Sequence, residues 1–419
     1  MRAALLFLLA TTLHAQSPHT QPSITSADLR GVSAVSSDIA WASGTKGTYL
    51  RTTDAGKNWI PDHVPGAESL DFRAVVAFSA DEAFLMSAGP GDQSRIYHTT
   101  DIGRHWQLEF TNTNPKGFFD SMVFWDRTHG VVLGDPIPDQ TGKDAGKLKF
   151  ELLLTNDGQT WTPIPPSQLP PAIEGEGAFA ASNTCLAILS NPVIPCAARD
   201  HVGTGSFARA GQGEARPNPQ QSLPDASKSG ASAPLQPSQS EAASAPDASD
   251  PNLWFATGGR AARVFHSPDR GLTWQVFDTP IMHGPESAGI VSIAFRDPRH
   301  GVIVGGDYKH PEEDGPSLAF TNDGGQSWTL SQIFPQAYSS AVAYDRRYQS
   351  PNAASLPENQ AQVRLFLVAP DYIYDFRPPR NPTRISPPKK SHLHFNAVSP
   401  LPQGGALIVG PNGSIATIP

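Results

Sequence analysis

Hydrophobic residues along this chain occur in short runs, rich in β-branched and aromatic side chains, that are separated by turns of Gly, Pro and Asp. The clearest runs read GIVSIAF, HGVIVGG, SLAFTNDG and QSWTLSQ, between residues 289 and 332. Short runs bounded by turn residues predict β-strands, and no stretch keeps a helical period long enough to predict an α-helix. The pattern therefore predicts an all-β protein built from units of four antiparallel strands.

One short motif, Ser/Thr-x-Asp-x-Gly-x-x-Trp, recurs at intervals of about fifty residues, apart from one interval about twice as long. Its copies are Thr52–Trp59, Thr99–Trp106, Thr155–Trp161, Ser267–Trp274 and Thr321–Trp328, of which the third is one residue shorter. Asp accepts hydrogen bonds from turn amides, Gly adopts positive φ, and Trp buries a large ring. The motif is therefore predicted to be structural, a hairpin between the third and fourth strands of each unit. The residues concerned are Asp54, Trp59, Asp101, Trp106, Asp157, Trp161, Asp269, Trp274, Asp323 and Trp328.

Four-stranded units with this period predict the blades of a β-propeller. Five blades carry the motif, and strand-like runs after Trp328 predict two more. The prediction is a single seven-bladed propeller over residues 22–419, with six or eight blades as alternatives. The last blade lacks a fourth strand, which the segment Pro22–Ser26 is predicted to supply, closing the ring. The long interval contains residues 197–250, rich in Ser, Ala, Pro, Gln and Gly, which are predicted to be a disordered insertion between the first two strands of blade 4.

The chain begins with MRAALLFLLATTLHA, which combines one Arg, a short apolar run and a small final residue. This pattern is typical of a signal peptide over residues 1–15, cleaved after Ala15. The mature protein is therefore predicted to be periplasmic or secreted, monomeric, and without a transmembrane segment. An oxidising compartment permits a disulfide between Cys185 and Cys196, and both bonded and free states remain open. The net charge of −8 argues against a nucleic-acid partner.

The five motif copies resemble the Asp-box, or bacterial neuraminidase repeat, of sialidases, sortilin-like receptors and related propellers. With its export signal and seven predicted blades, the chain most resembles the photosystem II stability/assembly factor family and its relatives in non-photosynthetic bacteria. Those relatives are often labelled oxidoreductase or glycosyl hydrolase. The stretches that fit this group better than a sialidase are Gly134–Pro136, Glu174–Glu176, Trp254–Gly259 and Val304–Asp307. The resemblance implies a secreted scaffold that binds another protein. The arginine patch shared by the photosynthetic members has no assigned counterpart here, so a photosystem client is not implied.

Acidic residues are concentrated in three loops, at residues 134–146, 174–177 and 306–315, on the predicted ligand face opposite the motif hairpins. Binding residues are often on such loops. The candidates for an acid/base pair, or for holding a hard cation, are Asp135, Glu174, Glu176 and Asp307. The alternative is solvated surface charge, which is the usual state of acidic loop residues. The predicted ligand face as a whole comprises Asp135, Asp139, Glu174, Glu176, Arg260, Arg263, Asp307 and His310.

Basic side chains on the same face allow two interpretations. Arg260 and Arg263 as a pair could clamp a carboxylate or phosphate, whereas Arg263 alone could form an ion pair between blades. His392 and His394 lie two residues apart on an inferred innermost strand, so that both point the same way. They are weak metal candidates, because two ligands make an incomplete site. A hydrogen-bonded pair lining the channel is the alternative, and no metal or cofactor is predicted.

The sequence therefore favours an exported propeller that binds a protein client, as a scaffold or as an assembly or stability factor for an envelope complex, without catalysis. A carbohydrate-active hydrolase with paired loop carboxylates is the first alternative, and a secreted oxidoreductase is the second. A sialidase would carry an arginine triad, a tyrosine nucleophile and a Phe/Tyr-Arg-Ile-Pro stretch. The nearest string, Arg95–Tyr97, lacks the proline. The nucleotide-binding and hydrolase motifs that mark common enzyme folds are absent from the sequence.

Overall fold

The described part of the chain folds into seven antiparallel blades of four main strands each, which confirms the predicted seven-bladed propeller. The computed structural model describes residues 18–21, 25–140, 142–189, 250–332, 337–348, 363–370, 372–376, 383–385 and 394–419. Helical structure within these ranges is limited to four short 3-10 helices, Gly91–Gln93, Gly142–Asp144, Pro166–Gln168 and Arg346–Tyr348. None of the helices in these ranges is long and apolar enough to cross a membrane.

The strands follow one another along the chain in blade order, apart from the first. Strand β1 (His19–Thr20) precedes blade 1 and belongs to blade 7. Blades 1 to 3 are formed by β2 (Leu29–Ala34), β3 (Ala40–Gly44), β4 (Thr48–Thr52), β5 (Ile60–His63); β6 (Asp71–Ala77), β7 (Ala83–Ala88), β8 (Arg95–Thr99), β9 (Gln107–Thr111); and β10 (Phe119–Phe124), β11 (Gly130–Pro138), β12 (Leu148–Thr155), β13 (Thr162–Pro163).

Blades 4 and 5 share a small extension at their inner ends. There β14 (Glu176–Gly177) pairs with β17 (Gly258–Gly259), which in turn pairs with the first strand of blade 5. The main strands of these two blades are β15 (Leu186–Ile188), β16 (Leu253–Ala256), β18 (Arg263–Ser267), β19 (Gln275–Asp278); and β20 (Ala288–Phe295), β21 (Gly301–Asp307), β22 (Leu318–Thr321), β23 (Thr329–Leu330).

Blades 6 and 7 complete the ring. Their strands are β24 (Ala341–Tyr344), β25 (Leu365–Ala369), β26 (Tyr372–Phe376), β27 (Thr383–Ile385); and β28 (Ala397–Pro400), β29 (Ala406–Gly410), β30 (Ser414–Ile418) with β1 as the fourth. First strands of successive blades contact one another, and β2 contacts β28, so the ring is closed.

The hydrophobic core is divided among the interfaces between blades. Seven clusters of buried side chains lie one at each interface, from the blade 1–2 cluster around Trp41 and Phe72 to the blade 7–1 cluster around Leu29 and Val409. Each blade therefore buries both of its faces, which explains why second strands such as β3 and β7 are buried along their whole length.

The strand that closes the ring differs from the predicted one. His19 and Thr20 pair with Thr417 and Ala416 of β30, whereas Pro22–Ser26 was predicted to pair there. Thr25 and Ser26 lie outside any strand, and residues 22–24 are outside the described ranges. A proline at position 22 has no N–H to donate to a ladder, which disfavours the predicted strand that begins there.

Three sequence predictions concern residues outside the described ranges. The signal peptide at residues 1–15 is one of them. The run 197–250 is described only at Asp250, and it connects β15 to β16, the first and second strands of blade 4. Cys185 is a buried free thiol, and burial raises its pKa well above the usual range. Its possible partner, Cys196, is outside the described ranges, so a disulfide has no support here.

Candidate functional site

Each copy of the repeat motif forms the hairpin between the third and fourth strands of its blade. In blade 2, Thr99 Oγ1 donates to Asp101 Oδ1 at 3.0 Å and accepts from the amide of Gly103 at 3.1 Å. The amide of His105 donates to Asp101 Oδ1 at 2.9 Å, and this bond together with the His105 side chain lowers the pKa of Asp101 to about 2. Gly103 has a φ of 84°, which a side chain would strain. The Asp101 carboxylate therefore accepts hydrogen bonds from within its own turn.

The motif tryptophans pack against the preceding blade. Trp161 of blade 3 joins the cluster of Phe84 and Met86 from blade 2, and Trp328 of blade 5 joins that of Trp254 from blade 4. The motif therefore does more than stabilise its own hairpin, because its ring also fills the gap between two blades.

The innermost strands carry β-bulges at the channel. In blades 1, 2, 3 and 5 the pairing of the first two strands skips one residue. A bulge leaves one residue unpaired and turns its side chain in a new direction. The skipped residues are Arg30, Arg73, Asp120 and Val291, and all of them line the central cavity.

One residue at the corresponding place in each blade lines this cavity. We call these the ring residues: Arg30, Arg73, Asp120, Ala180, Val291, Ser340 and Asn396. The channel cavity has a volume of about 460 Å³, within the range of ligand pockets. Other lining residues are Phe118, Asp135, Phe179, Tyr308 and Tyr338, of which Asp135 and Tyr308 belong to the acidic loops that the sequence predicted to face a ligand.

The charged ring residues come from blades 1 to 3. Arg73 donates through Nε to Asp71 Oδ2 at 2.9 Å and through a terminal nitrogen to the carbonyl oxygen of Ala180 at 3.0 Å. Arg30 Nε lies 3.7 Å from Asp71 Oδ1. Asp71 thus hydrogen-bonds to Arg73 and lies within ion-pair distance of Arg30, whose Nε has no hydrogen-bond partner among the described residues. The rest of the ring contributes no charge.

Asp120 and Asp135 form an acidic wall beside the arginines. The Asp120 side chain is buried, at 1% exposure, and its Oδ2 has no hydrogen-bond partner among the described residues. Burial and the neighbouring Asp135 raise the pKa of Asp120 well above its usual range, against the opposing effect of Arg73. Asp135, also skipped by a bulge, accepts a hydrogen bond from the Ala178 amide at 3.0 Å. Burial raises the pKa of Asp135 to about 6.

The other acidic candidates lie elsewhere. Glu176 is buried and accepts from Arg263 Nε at 2.9 Å and from the Thr257 hydroxyl at 2.6 Å. Glu174 is exposed. Asp307 pairs with His310 Nδ1 at 3.0 Å. Burial raises the pKa of Asp307, but hydrogen bonds from His310, Ser287 and the Lys309 amide outweigh it and bring the pKa to about 2.

Asp139 is buried at the base of the loop between β11 and β12, where its backbone bonds to Gly146 and Lys147. Of the predicted acidic set, the structure therefore brings only Asp135 to the channel cavity, where it meets Asp120, which the sequence reasoning missed.

The structure describes three of the four basic candidates. Arg263, in β18 of blade 4, bonds to Glu176, in β14 of the sheet that contains blade 5, so the ion pair joins the sheets of two blades. Arg260 is exposed, and the two arginines do not act as a free clamp. His394 Nδ1 donates to the carbonyl oxygen of Pro370 at 3.1 Å, and His392 lies outside the described ranges.

Comparisons with solved structures confirm the resemblance at the level of the fold. The chain is similar to "YCF48 bound to D1 peptide", with a TM-score of 0.56, 12% identity, and coverage of 97% of this chain and 96% of that chain. It is similar to YCF48 from Cyanidioschyzon merolae, with a TM-score of 0.52, 14% identity and coverage of 96% and 98%. It is also similar to the WD40 β-propeller domain of Doa1, with a TM-score of 0.52, 10% identity and coverage of 96% and 97%. No family model and no curated protein matches the sequence.

Proposed function

We propose that this chain is an exported scaffold, periplasmic or secreted, that binds a protein client over the mouth of the channel cavity. The ring residues carry this proposal, because three of the seven have ionisable side chains and face a cavity that no other part of the described chain fills. Burying charged groups costs stability unless they are paired. A cluster of such groups at a cavity is therefore better explained by a ligand than by folding.

Two further observations support a protein client. Tyr308 lines the cavity, yet its side chain is 46% exposed, and exposed tyrosines are frequent anchors in protein interfaces. Phe179 packs edge-on against it, with ring centroids 5.9 Å apart. The solved structure of YCF48 with a D1 peptide supports the view that a propeller of this shape binds a peptide.

Affinity capture tests the proposal. The tagged mature chain is cross-linked in its own envelope extract, beside the variants Tyr308→Ala and Arg30→Ala. We expect the wild-type chain to capture one protein partner in stoichiometric amount. Both variants should capture that partner at about one tenth of the wild-type yield or below, since interface anchors contribute about 2 kcal/mol or more.

Lys57→Ala is the matched control, because Lys57 is exposed on a motif hairpin at the opposite face. It should capture the partner at the wild-type level. A partner captured equally by all variants would place the interface elsewhere, and no saturable partner at all would contradict the proposal.

A carbohydrate-active hydrolase is the second candidate, because Asp120 and Asp135 are a carboxyl pair in one cavity whose environments differ: burial raises the pKa of both, and Asp135 raises that of Asp120 further. Such a difference is how enzymes separate an acid from a base. A panel of chromogenic glycosides tests it: release that Asp120→Asn abolishes would establish hydrolysis, and no release from any substrate would remove it.

A further inference from the structure

We propose that Asp120 and Asp135 form a pocket for one basic side chain, lysine or arginine, of the client. This inference rests on the proposed function, since it assigns the chemistry of one client residue at the same cavity. The pocket consists of the two carboxyl groups and the aromatic side chains of Phe118 and Phe179 beside them.

The Asp120 carboxyl is the central feature of this pocket. It is held at a bulge that turns it into the channel cavity, it is 1% exposed, and its Oδ2 accepts no hydrogen bond from the described residues. A buried polar atom without a partner costs about 1–3 kcal/mol. Native structures keep such atoms where a ligand or water satisfies them.

The neighbouring cations do not satisfy Asp120. The Arg73 guanidinium is directed to Asp71 and to the Ala180 carbonyl, and Arg30 also pairs with Asp71. Asp135 uses Oδ1 for the Ala178 amide. The carboxylate oxygens of Asp120 and Asp135 that have no partner can only accept hydrogen bonds when ionised. They therefore fit a group that has several N–H donors and no acceptor. Ammonium and guanidinium groups have this property.

The aromatic wall suits the rest of such a side chain. Lysine and arginine bury an aliphatic stem while keeping a charged head with polar partners. Phe118, Phe179 and Tyr308 line the same cavity, so the stem can pack on rings while the head reaches the carboxyls. A cation near an aromatic face gains further attraction.

Binding of a cation should be linked to a proton. The titratable and charged groups around Asp120 are Asp135, Arg73 and Cys185, and beyond them Asp71 and Arg30. Burial and Asp135 raise the pKa of Asp120 in the free protein, and an incoming cation favours its charged form. The basic side chain should therefore displace a proton, and affinity should rise as pH increases through about 6, where Asp135 also ionises.

Titration calorimetry with blocked amino acids tests the pocket. The mature protein is titrated at pH 7.5 with N-acetyl-lysine-methylamide, N-acetyl-arginine-methylamide and N-acetyl-norleucine-methylamide, in phosphate and in Tris. We expect saturable binding of at least one basic probe, an enthalpy that differs between the buffers by the heat of the released proton, and no binding of the neutral norleucine probe.

Variants make the test specific. Asp120→Asn and Asp135→Asn keep the shape and should each lower affinity at least about tenfold, and Asp120→Asn should also abolish the buffer difference. Asp92→Asn is the control, an exposed acid on the same face outside the cavity, and should bind as wild type. Equal binding of norleucine, unchanged binding by both variants, or no binding of either basic probe would overturn the inference. Capture of a client that needs Tyr308 but is unaffected by Asp120→Asn would overturn it while leaving the proposed function intact.

Discussion

A single residue position in each blade determines what faces the channel. Around the ring residues the sequence reads Leu-Arg-Gly-Val in blade 1, Phe-Arg-Ala-Val in blade 2 and Phe-Asp-Ser-Met in blade 3. In each of these stretches a large apolar residue is followed by the ring residue, which varies, then by a small residue and then by an apolar one. The same pattern recurs in blades 5 and 7, as Ile-Val-Ser-Ile and Phe-Asn-Ala-Val, so aligning these blades locates five of the seven ring residues. Strict alternation of strand residues hides it, because a bulge changes which way a side chain points. Asp135 was predicted from its loop, and Asp120 was missed because it lies within a strand.

Asp135 should reduce stability at neutral pH. Burial raises its folded pKa to about 6, above the unfolded value, so its favourable contribution is complete below about pH 4 and is lost as pH rises through 6. Asp135→Asn, which stays neutral, should therefore be more stable than wild type at pH 8 by about 1–3 kcal/mol and equally stable at pH 4. Urea unfolding at both pH values measures this. Asp92→Asn should leave the free energy of unfolding unchanged at both pH values. If Asp135→Asn differed from wild type by the same amount at both pH values, ionisation of Asp135 would not be the cause.

At the scale of the element, the hairpins were predictable because their determinants are local. Asp, Gly and Ser/Thr bond within a few residues of each other, as in Thr52 to Asp54 at 2.9 Å. What each Trp contacts was not predictable, since the partner lies about fifty residues earlier in the chain. Trp59 shows this most clearly, because it packs against blade 7 at the other end of the sequence.

Trp328 should contribute strongly to the blade 4–5 interface. It is 9% exposed, donates to the Gly325 carbonyl at 3.0 Å, and packs 6.2 Å from the Phe295 ring. Trp328→Ala leaves a cavity between two blades and should lower the free energy of unfolding by about 3–5 kcal/mol. Leu272→Ala, in the hairpin of blade 4 and 65% exposed, should change it by less than about 0.5 kcal/mol. Denaturant titration compares them, and a similar small effect for both would mean that the ring does not hold the blades together.

At the scale of the whole molecule, the sequence predicted the blade count and the closure by an N-terminal segment, but placed that segment a few residues too late. The strand is only two residues long, too short for a hydrophobic pattern to mark it. Its position depends instead on contacts made after the ring has formed. Gln21 provides them, since its side chain donates to Thr417 Oγ1 at 2.7 Å and accepts from Trp59 Nε1 at 2.9 Å. One residue thereby joins blade 7 to the motif hairpin of blade 1.

The ring should weaken when this segment is removed. A chain that starts at residue 22 loses the pairing of His19 and Thr20 with β30 and the Gln21 contacts, which leaves the β30 edge open for pairing with another molecule. We expect a lower unfolding temperature and concentration-dependent association, measured by calorimetry and light scattering. A chain that starts at residue 18 is the matched control, because it lacks the predicted signal peptide but retains β1. If both chains unfold at the same temperature and stay monomeric, closure by β1 is not what holds blade 7 to blade 1, and the hydrophobic cluster around Leu29 and Val409 must do so alone.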